Sequence, residues 1–154
     1  MFPGLTAGQV CRRDVVAVHR TVVLLDAART MRERHVGSLV VVDEAAPGER
    51  FVVGMLTDRD LVVSVVARDL DARALRVEDV MSTDLATVRE TDPVPQILAL
   101  MWRRGVRRVP VTDGEGRLVG IVAADDLVEL IAGEMASLAQ ALAAGPRREE
   151  RARP

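Results

Sequence analysis

The chain has 154 residues, 49% of them hydrophobic, which suits one compact domain or two small fused ones with a substantial core. Its formal net charge of −2, with the signs interspersed, argues against a nucleic-acid-binding protein with a basic face. No run approaches the roughly 18 to 20 apolar residues of a membrane span, and no secretion signal opens the chain. We therefore expect a cytoplasmic protein without membrane or nucleic-acid contact.

Hydrophobic periodicity and turn residues predict five elements in the first half of the chain. They are a strand at about 15–18, a helix at 21–34, a strand at 38–42, a strand at 51–56 and a helix at 58–67. The apolar run at 38–42 is unbroken, as expected of a strand buried on both faces.

The second half repeats this order. Equivalent residues lie 70 positions apart as far as Asp113, which matches Asp43, and 66 apart from Gly120, which matches Gly54. The four extra residues of the first copy fall in a loop, where a structural repeat tolerates insertions. This pattern predicts one repeat at 8–70 and a second at 71–134.

The last predicted helix runs from residue 124 to about 143 and is longer than its counterpart. It carries an apolar stripe of Leu127, Leu130, Ile131, Met135, Leu138 and Leu142. Such a stripe packs either on the protein's own body or on a second copy, and the sequence leaves both open. We expect a helical extension at 135–145 and a disordered, arginine-rich tail at 146–154.

Each half closes with a strand-to-helix turn, Gly-Met-Leu-Thr-Asp-Arg-Asp at 54–60 and Gly-Ile-Val-Ala-Ala-Asp-Asp at 120–126. Thr57 can cap the helix, and Asp60 lies near its first amides, where a phosphate or a polyhydroxyl ligand can bind. In the second turn Ala123 replaces the threonine. A capping box without any ligand, worth about 0.5–2 kcal/mol, is the alternative reading of the first turn.

The duplicated strand-helix-strand-strand-helix order, the Val80-Met81-Ser82 opening and the Gly-x-x-Thr-x-x-Asp motif resemble a tandem pair of cystathionine-beta-synthase (CBS) domains. The resemblance covers roughly residues 8–134 and is to the stand-alone type of this pair, the Bateman module. It implies an α/β (α+β) fold in which two β-α-β-β-α repeats pack with pseudo-two-fold symmetry. It also implies clefts for adenosine compounds (AMP, ADP, ATP, S-adenosylmethionine or NAD) and a homodimer.

The resemblance further implies that each cleft is built by both repeats. The first would combine Thr57, Asp60, Asp92, Val106, Arg107 and Arg108. The second would combine Asp126, Thr21, Val36, Gly37 and Ser38. A carboxylate suits the vicinal hydroxyls of a ribose, which makes Asp60 and Asp126 the candidate ribose ligands.

We therefore expect a regulatory module that binds an adenine nucleotide, requires no cofactor, and passes the signal to dimer packing or to a regulated partner protein. The alternative is a structural or protein-interaction module without a ligand. Catalysis is not expected, because no nucleophile with a base and no glycine-rich phosphate loop can be assembled. A metal site is not expected either, because His19 and His35 have no third ligand nearby.

Overall fold

Each half of the chain forms its own three-stranded sheet in the computed structural model, which describes the backbone of residues 4–151 and the side chains of residues 4–143. The strands are β1 (Ala17–His19), β2 (Ser38–Glu44), β3 (Arg50–Thr57), β4 (Val88–Arg89), β5 (Arg108–Thr112) and β6 (Leu118–Ala123). The α-helices are α1 (Ala7–Val10), α2 (Leu24–Arg34), α3 (Asp58–Ser64), α4 (Val94–Arg104) and α5 (Ala124–Arg151). Single 3₁₀ turns lie at Val66–Arg68 and Val77–Asp79. The predicted mixed α+β fold is confirmed.

The middle strand of each sheet has one parallel and one antiparallel neighbour. Strand β2 pairs in parallel with β1 and antiparallel with β3, and β5 pairs in the same way with β4 and β6. Residues 39–42 of β2 are all buried, which confirms the prediction from their unbroken apolar run. The two sheets approach each other through β3 and β6, where Phe51 bridges to Arg117.

The two cores do not follow the sequence repeats. The segment that precedes the first strand of each repeat, which we call its lead (residues 5–16 and 75–86), packs mainly on the other repeat. Ala7 is completely buried in the core of the second repeat, beside Val94 and Ile97. Val77 is likewise buried in the core of the first repeat, beside Leu24. Burying these leads couples the folding of the two halves, since removing either one opens the core of the other repeat.

The glycine of each duplicated turn lies where an exchanged lead crosses a sheet. A Cβ at Gly54 would lie 2.7 Å from the Met81 sulfur and 3.1 Å from the Ser82 carbonyl oxygen. A Cβ at Gly120 would lie 2.6 Å from the Cys11 sulfur and 2.8 Å from the Arg12 carbonyl oxygen. The crossing segments also exchange backbone hydrogen bonds with these strands, from Ser82 to Met55 and from Arg12 to Ile121. Close backbone approach therefore explains both glycines without a ligand.

Two predicted helix ends differ from the structure. Helix α3 ends at Ser64 rather than near Ala67, and a 3₁₀ turn continues the chain. Helix α5 continues through Arg151, so part of the tail predicted as disordered at 146–154 is helical. The residues after Pro146 are mainly Arg and Glu, which favour helix. Residues 152–154 of that predicted tail lie outside the described residues.

Across residues 4–151, the helices are too short or too polar to span a membrane.

Candidate functional site

Both strand-to-helix turns lie at the edge of their sheet where the middle strand begins. Because β2 and β3 are antiparallel, Ser38 at the start of β2 pairs with Thr57 at the end of β3. Arg108 at the start of β5 pairs in the same way with Ala123 at the end of β6. The helix that follows each outer strand therefore starts beside the opening residues of the middle strand.

The larger cavity lies at this edge, between the two repeats, and has a volume of about 430 Å³. The first repeat lines it with Gly37, Ser38, Met55, Thr57, Asp58, Arg59 and Asp60. The second repeat lines it with Ser82, Asp84, Leu85, Ala86, Gly105, Val106, Arg107 and Arg108. We call this space the first cleft. Its volume falls within the range of about 300–1,000 Å³ that small-molecule sites occupy.

Thr57 and Asp60 form a complete capping box at the start of α3. The Asp60 amide donates to the Thr57 hydroxyl oxygen at 3.2 Å, and the Thr57 amide donates to Oδ2 of Asp60 at 2.8 Å. This arrangement fixes the Asp60 carboxylate at the helix start, where the helix dipole favours a negative charge. The box uses only one of the two carboxylate oxygens, so the other can accept a hydrogen bond from a ligand.

The first cleft contains charges of both signs, and its arginines differ in their partners. Arg107 pairs with Asp125 at 3.1 Å, and Arg104, outside the cleft lining, pairs with Asp84. Within the described side chains, no carboxylate oxygen lies within 4.0 Å of the Arg108 guanidinium. Arg108 is therefore a cation that remains available to an anionic ligand.

A second cavity of about 340 Å³, which we call the second cleft, lies around the other turn. The first repeat and its lead line it with Arg12, Asp14, Val15, Val16, His35, Val36, Gly37 and Ser38. The second repeat lines it with Arg108, Ile121, Ala123, Asp125 and Asp126. Gly37, Ser38 and Arg108 line both cavities, so the clefts share one wall.

The acid of the second cleft is already paired. Arg12 donates a hydrogen bond to Oδ1 of Asp126, whose side chain is only 15% exposed. This contact raises the pKa of the Arg12 guanidinium, first through the hydrogen bond and then through the charge of Asp126. The residue of the first cleft that corresponds to Arg12 is Ser82, which has no charge to offer Asp60. Among the described residues, the second cleft thus has an acid that is paired at Oδ1 and buried without a hydrogen-bond partner at Oδ2, and at Ala123 it lacks a hydroxyl.

Position 37 of the shared wall lies directly against the start of α3. The Gly37 carbonyl accepts the Asp58 amide hydrogen at 3.0 Å. A Cβ at this position would lie 3.1 Å from Oδ2 of Asp58, a contact that forces the aspartate to move. The predicted small-residue wall therefore has a structural reason as well as its suggested role beside a ligand.

The structure brings most of the predicted site residues together. Those that line the first cleft are Thr57, Asp60, Val106, Arg107 and Arg108. Those that line the second are Asp126, Val36, Gly37 and Ser38. Contact of any of them with a ligand stays a prediction.

Thr21 and Asp92 lie elsewhere. Strand β1 is parallel to β2 and its last residue, His19, pairs with Val42, so Thr21 follows at the opposite end of the sheet from Ser38. There its hydroxyl bonds Nδ1 of His19 at 2.8 Å. By the same geometry Asp92 lies at the far end of the second sheet, where its carboxylate accepts the Arg89 amide hydrogen at 2.8 Å.

Two whole segments of the cleft lining, those that precede β1 and β4, were missed from the sequence. They are residues 12–16 in the second cleft, apart from Arg13, and residues 82 and 84–86 in the first. The signal was available, because parallel neighbouring strands begin at the same edge of a sheet. Asp14 and Asp84, which the repeat spacing of 70 makes equivalent, each lie in one of these segments.

Among the described side chains, no group of three or more His, Cys, Asp or Glu residues is placed to hold a metal ion. The two histidines have other neighbours. His19 lies 3.5 Å from the Asp43 carboxylate, and His35 ends α2 in a left-handed conformation.

Comparison with known proteins identifies two matches to the CBS domain model, at residues 7–67 and 77–133. A protein of Methanopyrus kandleri is 35% identical over 126 residues, which are 82% of this chain and 62% of that protein. The chain thus spans less than two thirds of that relative's length. Hypoxic response protein 1 of Mycobacterium tuberculosis is 33% identical over 122 residues, covering 79% of this chain and 82% of that protein.

Solved structures agree in fold. The crystal structure of Hypoxic Response Protein I with two coordinated zinc ions superposes with a TM-score of 0.70 at 31% identity, covering 80% of this chain and 97% of that one. A hexameric CBS-CP12 protein from bloom-forming cyanobacteria superposes with a TM-score of 0.68 at 26% identity, covering 80% of this chain and 66% of that one. Proteins that contain this pair of repeats therefore include oligomers.

Proposed function

We propose a nucleotide-sensing regulatory role for this chain, which belongs to the CBS domain family. In this proposal the first cleft binds an adenosine-containing compound in the cytoplasm: AMP, ADP, ATP, S-adenosylmethionine or NAD. The protein acts as a homodimer and changes the packing of its repeats, or that of a regulated partner, rather than catalysing a reaction. One observation carries the proposal: the first cleft places the helix-start carboxylate of Asp60 and the available cation of Arg108 around one cavity.

The residues of the first cleft match the three parts of a nucleotide. A ribose has vicinal hydroxyls that can donate to the carboxylate oxygen of Asp60 that the capping box leaves over. A phosphate is attracted by the guanidinium of Arg108. The apolar side chains of Met55, Leu85 and Val106 supply a surface for the base.

The first cleft is a better candidate than the second for an electrostatic reason. In the second cleft Arg12 occupies Oδ1 of Asp126, and Oδ2 is buried without a hydrogen-bond partner among the described residues. A ribose could therefore reach this carboxylate only by displacing Arg12, which loses a charge-assisted hydrogen bond, or by moving the atoms that cover Oδ2. In the first cleft no such exchange is needed. We therefore propose one nucleotide per chain.

The position of the first cleft allows ligand binding to be coupled to the arrangement of the two repeats. Because both repeats line it, a bound nucleotide touches both, and any difference in its affinity for two arrangements of the repeats shifts their populations. The exchanged leads carry Ser82 and residues 84–86 into the same cleft.

A thermal-shift screen with the five compounds tests this proposal. A ligand at 100 times its dissociation constant stabilises the folded chain by about 2.7 kcal/mol, so the unfolding midpoint should rise for at least one of them. The 2′-deoxy form of the best ligand is the matched control, and its shift should be smaller because it lacks one hydroxyl for Asp60. No shift with any compound at millimolar concentration would contradict the nucleotide role.

One observation favours a second candidate function, an interaction module without a ligand. Thr57 and Asp60 satisfy each other in the capping box, so the first turn has a structural role that needs no ligand. The fold would then serve to present its exposed surfaces to a partner. The same screen separates the two candidates, because this one predicts no shift.

A further inference from the structure

The second cleft keeps most features of a binding site although its acid is engaged. Its volume of about 340 Å³ lies within the range of about 300–1,000 Å³ that small-molecule sites occupy. The apolar side chains that could contact a base are those of Val15, Val16, Val36 and Ile121. Two features distinguish it from the first cleft: the missing hydroxyl at Ala123 and the pairing of Asp126 with Arg12.

Arg12 lies where the first cleft has Ser82. The Arg12 amide donates to the Ile121 carbonyl at 2.9 Å, and the Ile121 amide donates to the Arg12 carbonyl at 2.9 Å. Ser82 and Met55 exchange the same pair of bonds at 2.9 and 3.0 Å. Because Ile121 and Met55 are equivalent at the repeat spacing of 66, the two leads cross their sheets at the same point. The clefts therefore differ here in the side chain and not in the backbone.

The Arg12 guanidinium makes the contact that a ribose would make. It donates to Oδ1 of Asp126, as a sugar hydroxyl can donate to a carboxylate. The other oxygen, Oδ2, is buried and has no hydrogen-bond partner among the described residues. Arg12 therefore occupies the accessible oxygen of this carboxylate.

The contact can open without unfolding of the lead. The Arg12 side chain is 67% exposed, so its guanidinium can turn into solvent while the backbone bonds to Ile121 remain. The Asp126 side chain is only 15% exposed, and its charge would lose this partner. Opening is therefore costly unless a new donor reaches the carboxylate, and the vicinal hydroxyls of a ribose are such donors.

Release of Arg12 would give the second cleft the two charges that the first cleft presents. The Asp126 carboxylate would be free for a ribose. Arg108, which has no carboxylate oxygen within 4.0 Å among the described side chains, would be available to a phosphate. The other acids of this cleft have partners of their own, since Asp14 lies 3.8 Å from Arg34 and Asp125 lies 3.1 Å from Arg107.

We propose that Arg12 is an autoinhibitory side chain, which takes the place of a ribose on Asp126 and thereby closes a second nucleotide site. The proposal rests on the proposed function for the chemical class of the ligand. It adds a site in the same chain whose use depends on Arg12, and any change that draws Arg12 away opens that site.

Isothermal titration of AMP into variants of the full chain tests the proposal. Asp60→Asn is the parent variant, because it weakens the first cleft and leaves Arg108 to the second. Adding Arg12→Ser, which copies the residue of the other lead, should create a site for one AMP per chain. Its dissociation constant should be at least tenfold below that of the parent. Adding Asp126→Asn as well should abolish the gain, because the new site uses the freed carboxylate.

Arg13→Ser in the same parent is the matched control. It removes the same charge one residue along the chain, at a side chain that the described structure places in neither cleft lining, and it should bind AMP like the parent. Circular dichroism checks that every variant is folded. Arg12→Gln keeps a neutral donor for Asp126, so it serves if Arg12→Ser impairs folding, and it should also gain AMP binding.

Two results would overturn the proposal. A folded Arg12→Ser or Arg12→Gln variant that binds AMP no better than the parent would show that Arg12 only neutralises a buried acid. A gain that survives Asp126→Asn would show that the new site does not use this carboxylate.

The wild-type chain keeps this proposal separate from the first-cleft assignment. If the wild type binds AMP and the Arg12 variants gain nothing, only the autoinhibitory role fails. If the wild type does not bind AMP and the Arg12 variants gain a site, only the first-cleft assignment fails.

Discussion

Two aspartates that occupy equivalent positions, Asp60 and Asp126, have different partners. The Asp60 carboxylate accepts a hydrogen bond from the Thr57 backbone amide in a capping box, whereas the Asp126 carboxylate accepts one from the side chain of Arg12. The difference has two sources: Thr57 in one turn against Ala123 in the other, and Ser82 in one lead against Arg12 in the other. The chemistry of each cleft thus depends partly on a residue far from its helix turn in the sequence.

The β5–β6 turn gives a residue-scale prediction about pH. The Arg117 side chain and then backbone amides donate to the Asp113 carboxylate, and these bonds lower its pKa to about 2. A depressed folded-state pKa contributes stability that is complete above the ordinary value of 3.8 and is lost as the pH falls towards 2. Asp113→Asn should therefore lower the urea midpoint at neutral pH and reduce its fall between pH 4 and pH 2.

The control for this experiment is Asp14→Asn, a substitution at a carboxylate that is 93% exposed. It should leave the neutral-pH midpoint nearly unchanged. An acid-side loss of stability that is the same in Asp113→Asn and wild type would show that the turn does not carry this pH dependence.

At the scale of elements, the exchanged leads explain why glycine recurs in the duplicated turns. A Cβ at Gly120 meets the Arg12 carbonyl, which is part of the crossing backbone. A Cβ at Gly54 meets mainly the flexible end of Met81. Replacing each of the two equivalent glycines by alanine should therefore lower the free energy of unfolding by different amounts.

Gly120→Ala should destabilise the chain by about 1–3 kcal/mol, because a backbone segment has to shift. Gly54→Ala should cost less, since the Met81 side chain can turn away. Gly114→Ala, at a site with nothing within 4 Å, is the control and should change the free energy of unfolding by no more than about 0.5 kcal/mol. Urea unfolding measures all three. Equal losses at positions 120 and 54 would contradict the crossing-segment explanation.

Sequence periodicity and the constant repeat spacing were sufficient to predict the elements and two clefts built by both halves. The wrong placements, Thr21 and Asp92, share one cause. Matching residues between repeats shows which positions are equivalent but not at which end of a sheet they lie. That depends on strand direction, and β1 and β4 run parallel to the middle strands. The packing of each lead on the other repeat also could not be predicted from the sequence, because a segment with apolar residues fits either core.

At the scale of the whole molecule, the clefts share the wall formed by Gly37, Ser38 and Arg108. A ligand in the first cleft would therefore lie beside residues that also line the second cleft. Helix α5 starts at Ala124, so Asp126 and its Arg12 contact lie in the first turn of this helix. The Arg12 contact is therefore part of the second cleft, which adjoins the shared wall.

Isothermal titration of the best nucleotide into three chains, wild type, Asp60→Asn and Asp126→Asn, separates the proposed roles of the two aspartates. Asparagine keeps an oxygen for the capping box and removes the charge that strengthens a bond to ribose. If Asp60 is the ribose ligand, we expect one nucleotide per wild-type chain, binding at least tenfold weaker in Asp60→Asn, and a nearly unchanged affinity and stoichiometry in Asp126→Asn. Loss of binding in Asp126→Asn with retention in Asp60→Asn would contradict this assignment.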